Sequence, residues 1–148
     1  DIDTVEGLLD IGLEKNTNAH LFYETVLHYA AANGHAVVVK ALLAAGVNKE
    51  VIGFNGRSLL HTAVDRGHIQ VVQELLRVGL NKNIQDHFGC TPLYMAVAKG
   101  HIQIVQELLN ADADVNIPDI MMKKTPLQIA VAKGNAEIIQ ALHNAGAN

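Results

Sequence analysis

Internal repetition constrains this chain more than any other feature. Four segments align without strain: T-V-L-H-Y-A-A-A-N-G-H from Thr25, S-L-L-H-T-A-V-D-R-G-H from Ser58, T-P-L-Y-M-A-V-A-K-G-H from Thr91 and T-P-L-Q-I-A-V-A-K-G-N from Thr125. Their starts differ by 33, 33 and 34 residues. A second shared block follows each: V-V-K-A-L-L-A-A-G, V-V-Q-E-L-L-R-V-G, I-V-Q-E-L-L-N-A-D and I-I-Q-A-L-H-N-A-G. The same block stands alone at the front, as T-V-E-G-L-L-D-I-G from Thr4 to Gly12. One leucine of the block recurs as Leu8, Leu42, Leu75, Leu108 and Leu142, 33 or 34 residues apart. A fixed period of this length belongs to stacked arrays, in which each unit buries its apolar face against its neighbours.

Each unit reads as two short helices. Thr25, Ser58, Thr91 and Thr125 carry hydroxyls that can accept a hydrogen bond from an unpaired first-turn amide. Pro92 and Pro126 follow two of these caps, where a missing N–H costs nothing. Thr125 and Gln128 have the spacing of a capping box, and His28 and His61 are expected to play the part of Gln128 through a ring N–H. The first helix should then stop at Gly34, Gly67, Gly100 or Gly134, because glycine accepts the left-handed backbone that ends a helix. The second helix carries a Val/Ile-Val/Ile-x-x-Leu-Leu stripe at helical spacing and ends at Gly46, Gly79 and Gly146, with Asp112 in that place in the third unit. Helices this short do not persist alone in water, so stacking must hold them.

The motifs T-P-L-H, A-A-x-x-G-H, V-V-x-x-L-L and G-x-D-x-N resemble those of ankyrin repeats, and the best match is Asn83-Ile-Gln-Asp86-His-Phe-Gly89-Cys-Thr91-Pro-Leu. The resemblance runs over essentially the whole chain. It implies an all-α solenoid of stacked helix–turn–helix units with a short projecting β-hairpin per repeat. The expected organisation is a single domain over 1–148, with a partial repeat at 1–16 and repeats at 17–50, 51–83, 84–116 and 117–148. Gly53 stands where Asp is usual, as does Ala19 at the first hairpin, and Tyr94 replaces the usual His. The first and fourth hairpins are one residue longer. Because the chain begins inside a repeat and stops where the next hairpin would start, a fragment of a longer array is the expectation.

Charge and composition exclude several alternatives. A net charge of −4 with interspersed signs lacks the clustered basic surface that a phosphate backbone requires, so nucleic acid is not expected as a partner. No apolar run approaches the ~20 residues of a membrane span, and no basic-then-apolar leader opens the sequence. The single cysteine, Cys90, can form no internal disulfide, which fits a cytoplasmic or other intracellular compartment. A monomer is expected.

Little points to catalysis or to a cofactor. The eight histidines suggest metal at first, but His28/His61 and His35/His68/His101 hold equivalent places in successive repeats. Stacked helices lie about 8–10 Å apart, whereas two ligands of one zinc each lie about 2.0–2.1 Å from it. Capping and bonds between repeats are the expected roles. His20 and His87 fall near hairpin tips, and His143 takes a leucine position in the last helix. Cys90 lacks a helix N-terminus or elbow that would activate it, and its neighbour His87 makes only a weak dyad. Asp112 and Asp114 fall in an inter-repeat turn, and no phosphate-binding glycine loop is present. No catalytic, metal or cofactor residue is assigned.

What remains is a row of apolar residues. All three phenylalanines, Phe22, Phe54 and Phe88, fall at the expected tips, with Tyr23 beside the first and Met121 and Met122 in the fourth. Exposed aromatics and Met are enriched at binding surfaces. The family resemblance implies that partners bind the tips and the inner, concave face of the first helix. On this sequence that selects Phe22, Phe54, Asn55, Arg57, Asp65, Arg66, His87, Phe88, Lys99, Met121, Met122, Lys124 and Lys133. Arg66, Lys99 and Lys133 form a modest positive strip suited to an apolar stretch flanked by acids. The expected function is non-catalytic recognition of another protein. A substrate-positioning or regulatory array of a larger enzyme, and a structural spacer, stay open as alternatives. Asn83 and Asn116 resemble positions hydroxylated in some ankyrin repeats, against a plain turn-bonding role.

Overall fold

The computed structural model describes residues 17–148, with side chains from Leu21 onward. The partial repeat expected over 1–16, including Thr4–Gly12, lies outside the described residues, as do the side chains of Ala19 and His20. Eight α-helices occur among the described residues, in four pairs. These are α1 (Thr17–Ala32) with α2 (Ala36–Ala44), α3 (Leu59–Arg66) with α4 (Ile69–Arg77), α5 (Pro92–Lys99) with α6 (Ile102–Asn110), and α7 (Pro126–Lys133) with α8 (Ala136–Asn144). Each first helix packs on its own second helix and on the next first helix, and second helices stack likewise.

The core follows from the repeat. Leu27, Leu42, Leu59, Leu60, Leu75, Leu93, Leu108, Ile138 and Leu142 are fully buried, so every repeat gives side chains to the interface it shares. At about 1.5–3 kcal/mol for each buried aliphatic side chain, these contacts outweigh the weak intrinsic helicity of eight- and nine-residue helices.

The helix ends form largely as the caps require. Ser58, Thr91 and Thr125 accept from the amides of His61, Tyr94 and Gln128. Thr125–Gln128 closes a capping box, and so does Ser58–His61. The ring chemistry of His61 differs from the expectation: its Nδ1 lies 3.2 Å from the Ser58 amide as acceptor, so no ring N–H serves there. Its Nε2 lies 2.7 Å from the Cys90 carbonyl, tying α3 to the next repeat. Asp112 adopts φ 59°, the left-handed conformation expected at the end of α6.

The first repeat departs from the expected pattern. Thr25 does not cap a helix, because α1 continues through it, and its Oγ1 donates to the Leu21 carbonyl at 2.9 Å. Sixteen residues from Thr17 to Ala32 contain no Gly or Pro, and Ala19 stands where later repeats have Gly53, Asp86 or Asp119. Without a Gly or Pro to break it, the helix runs on through the expected hairpin. Phe22 and Tyr23 therefore lie on a helix and not on a tip. His28 sits within α1 and does not complete a capping box.

The projecting segments of the other repeats are tight turns. Among the described residues no β-strand forms, and one isolated antiparallel bridge, Ile52 to Ser58, is what remains of the expected hairpins. Between repeats, Asn83 Oδ1 accepts from the Asp114 amide at 2.8 Å and Asn116 Oδ1 from the Asn148 amide at 3.2 Å. Both asparagines hold successive turns together.

Candidate binding face

Three turns carry the candidate residues. In the second repeat the Gly53 amide donates to the Arg57 carbonyl at 2.8 Å, and Asn55 and Gly56 are both left-handed, at φ 59° and 71°. Asn-Gly suits such a pair, since Asn tolerates the left-handed region and Gly has no Cβ to clash. The third turn closes from Asp86, whose amide donates to the Cys90 carbonyl at 3.0 Å. Its carboxylate accepts from the amides of Phe88 and Cys90, both at 2.9 Å. The fourth uses Asp119 in the same way, accepting from Met122 at 2.8 Å and Lys124 at 2.9 Å. The extra residue of this turn is absorbed by Lys123 at φ 56°.

Successive turns are bonded to one another. The His87 amide donates to the Asn55 carbonyl and the Ile120 amide to the Phe88 carbonyl, each at 2.9 Å. Within the third repeat, Gln85 Nε2 donates to the Gly89 carbonyl at 2.8 Å and braces the same turn. Gly89 is needed for a second reason: a Cβ there would run into Ile120, side chain and backbone alike. The tips are thus held in a row at fixed relative positions.

Along that row Phe54 is 87% exposed, Phe88 43%, Met121 74% and Met122 58%. Phe22 is exposed on α1, its ring edge-on to the buried Tyr23 with centroids 5.5 Å apart. Between α1, the second turn and α3 lies an open concavity of about 430 Å³. Tyr29, Ala32, Phe54, Arg57, Asp65 and Arg66 contribute to its lining. Asp65 holds the charges there together, 3.5 Å from Arg57 Nη1 and 3.1 Å from Lys99 Nζ. Arg57 Nε is 3.9 Å from Asp86, too long for a hydrogen bond, so that contact is electrostatic only. The positive strip is therefore partly neutralised at Lys99, while Arg66, Lys124 and Lys133 are exposed and make no ion pair among the described residues.

The structure thus brings Phe54, Asn55, Arg57, Asp65, Arg66 and Lys99 together, links His87 and Phe88 to them through the turn bonds, and sets Met121, Met122 and Lys124 on the next turn. Lys133 repeats the place of Lys99 one helix on. Sequence reasoning passed over Tyr29, which is 67% exposed and lines the concavity. Its position holds Tyr29, Thr62, Met95 and Ile129 in the four copies, varying while the leucine two places before and the alanine after it repeat, and that variation was the available signal.

Proton chemistry on this face is quiet. Burial pushes the Cys90 thiol up to about 11, helped by the Asp86 and Asp119 charges, so it stays protonated at neutral pH. Burial lowers the His61 imidazole, with the Cys90 carbonyl and Asp86 opposing and Arg57 adding to the shift. Burial, with the Asp119 charge, pushes Tyr94 up to about 12, and its hydroxyl hydrogen-bonds to Asp119. Tyr94 thereby does for the fourth turn what His61 does for the third. Burial would raise the Asp119 carboxyl, but hydrogen bonds from Met122, Lys124, Tyr94 and Met121 hold it below its ordinary value. Among the described residues no group of three or more His, Cys, Asp or Glu is placed to hold a metal ion, and no helix is long and apolar enough to cross a membrane.

A family model for ankyrin repeats (3 copies) matches residues 1–86 and 67–148. The chain belongs to the ankyrin repeat family. No curated relative matches it at a significant level. Ankyrin repeats are generally protein–protein interaction modules and are typically non-catalytic.

Proposed function

We propose that this chain is a non-catalytic recognition module that binds another protein through its turn tips and the adjoining face of the first helices, acting as a monomer inside the cell. The observation that carries the reading is the row of apolar tips. Phe54 at 87% exposure and Met121 at 74% gain nothing for the fold by projecting into water. Large apolar side chains held at fixed spacing on a rigid backbone are well suited to anchor a partner, because little of their freedom is lost on binding. The concavity under Tyr29 and Phe54 and the cations beside it extend the same surface.

The test is a pull-down comparing the chain with a Phe54→Ala/Phe88→Ala/Met122→Ala variant, both checked by thermal denaturation. Partners captured by the parent and lost by a folded variant support the tips as the site. Partners retained by it place binding elsewhere. Charge reversal at Arg66 and Lys99 is expected to weaken the same partners, and indifference to it would remove the cations from the site.

A further inference from the structure

The binding face is chemically uneven along the stack, and this unevenness specifies more than protein binding. Its amino-terminal part is aromatic: Tyr29 and Phe54 flank the open concavity, and both are largely exposed. Arg66 stands on the rim of that concavity, and Lys99 and Lys133 repeat its position at the ends of the next two first helices. Lys99 is held by Asp65 at 3.1 Å, but half of its side chain is exposed, and such a surface pair is easily exchanged for another carboxylate. The carboxylates of Asp86 and Asp119 are buried and engaged with turn amides, so they compete little for an incoming ligand.

Building on the reading above, we infer that the occupant is an extended segment of a partner protein with an apolar or aromatic anchor at one end and acidic residues at the other. The spacing follows from the stack. Neighbouring first helices lie about 8–10 Å apart, and an extended chain advances about 3.3 Å per residue. The anchor therefore fills the concavity beside Tyr29 and Phe54, between α1 and α3, with acids about four and seven residues further along, over Lys99 and Lys133. A nucleic acid fits less well. Its strand carries a phosphate about every 3.4 Å and binds through clustered cations, whereas this strip offers one cation per repeat and is interrupted by Asp65.

The experiment is selection of a displayed library of random 12-residue peptides on the purified chain, with the enriched peptides then measured by fluorescence anisotropy. The expected peptides carry an aromatic or large aliphatic residue and acids spaced about three residues apart. Tyr29→Ala/Phe54→Ala and Lys99→Glu/Lys133→Glu should each weaken them tenfold or more, without loss of fold because all four side chains are exposed. Replacing the peptide acids with lysine should restore affinity for the Lys99→Glu/Lys133→Glu protein. Peptides that need Phe54 but carry no acids would overturn this inference and leave recognition at the tips standing. Peptides indifferent to every residue of the face would overturn both. An empty selection overturns the linear segment alone, and displacement by an oligonucleotide regardless of Phe54 would overturn it in favour of a polyanion site.

Discussion

The turn of the second repeat, residues 53–57, and that of the third, residues 86–90, project from equivalent places and are closed by different chemistry. The second relies on backbone conformation alone, with Asn55 and Gly56 in the left-handed region and Gly53 contributing no side chain. The third is braced by a buried carboxylate that gathers the amides of Phe88 and Cys90. The aromatic on the unbraced turn is 87% exposed and that on the braced turn 43%. A single position, glycine in one repeat and aspartate in the next, sets how each turn is closed, while the aromatics themselves stand one place apart, Phe54 aligning with His87 and Phe88 with Asn55, and show different amounts of their rings. The fourth turn keeps the aspartate but carries one more residue, and its two methionines are exposed again. Repetition supplies the scaffold, and departures from it supply the surface.

The strongest test of this contrast is removal of a brace. Asp119→Ala abolishes the bonds to the Met122 and Lys124 amides and leaves the Tyr94 hydroxyl without its acceptor. It should cost about 3 kcal/mol in urea denaturation, on the scale of hydrogen bonds to a charged group. The pH dependence has a fixed sign. Because the folded carboxyl is held below its ordinary 3.8, its contribution is complete above that value and is lost as pH falls through the lower folded value. The gap between the parent and Asp119→Ala should therefore narrow in acid, and a gap that widens below pH 3.8 contradicts the assignment.

Asp86→Ala removes two amide bonds and the long electrostatic contact with Arg57 but no tyrosine contact, so a smaller loss of about 2 kcal/mol is expected. If it matched a neutral surface change, the brace would be ornamental. Gly53→Asp asks whether the second turn can be converted. Gly53 has extended backbone angles that any residue adopts, but a Cβ there meets the His28 ring at 3.1 Å. The ring must yield by a few tenths of an ångström to admit it, and His28 is of intermediate exposure. The variant should gain up to about 1 kcal/mol, partly by restricting the unfolded chain, and should slow hydrogen exchange at Arg57. A destabilised variant would mean that His28 cannot move. Phe54→Ala should change stability least, by under about 0.5 kcal/mol, whereas Phe88→Ala, being half-buried, should cost more. Equal losses would erase the distinction between the two tips.

Much of this architecture is written in the sequence because it repeats. Caps such as Thr91 and Thr125, the glycines that end the first helices, and Asp112 depend on neighbours within one turn of helix, and their spacing exposes them. The family and its stacked fold follow from the same register. What the sequence hid depends on residues distant along the chain. The extension of α1 through Thr25 reflects an absence, the missing turn former at position 19, and it moved Phe22 from a tip to a helix. The exchange of His61 for Tyr94 reads as a departure until the fold shows each reaching the following turn, His61 to Cys90 and Tyr94 to Asp119. The pairing of Lys99 with Asp65 joins two repeats, and no local pattern announces it.

The tips, and not the second helices, are expected to meet the partner. The most direct measurement places a photo-crosslinking phenylalanine analogue at Phe54 or Met122, or at Gln73 or Gln106 on the exposed faces of α4 and α6, and irradiates cells expressing each variant. The expected result is covalent adducts of one common partner from the two tip positions and none of it from the helix positions. Adducts from Gln73 and Gln106, with Phe54 and Met122 silent, would contradict the account and move recognition to the opposite side of the stack.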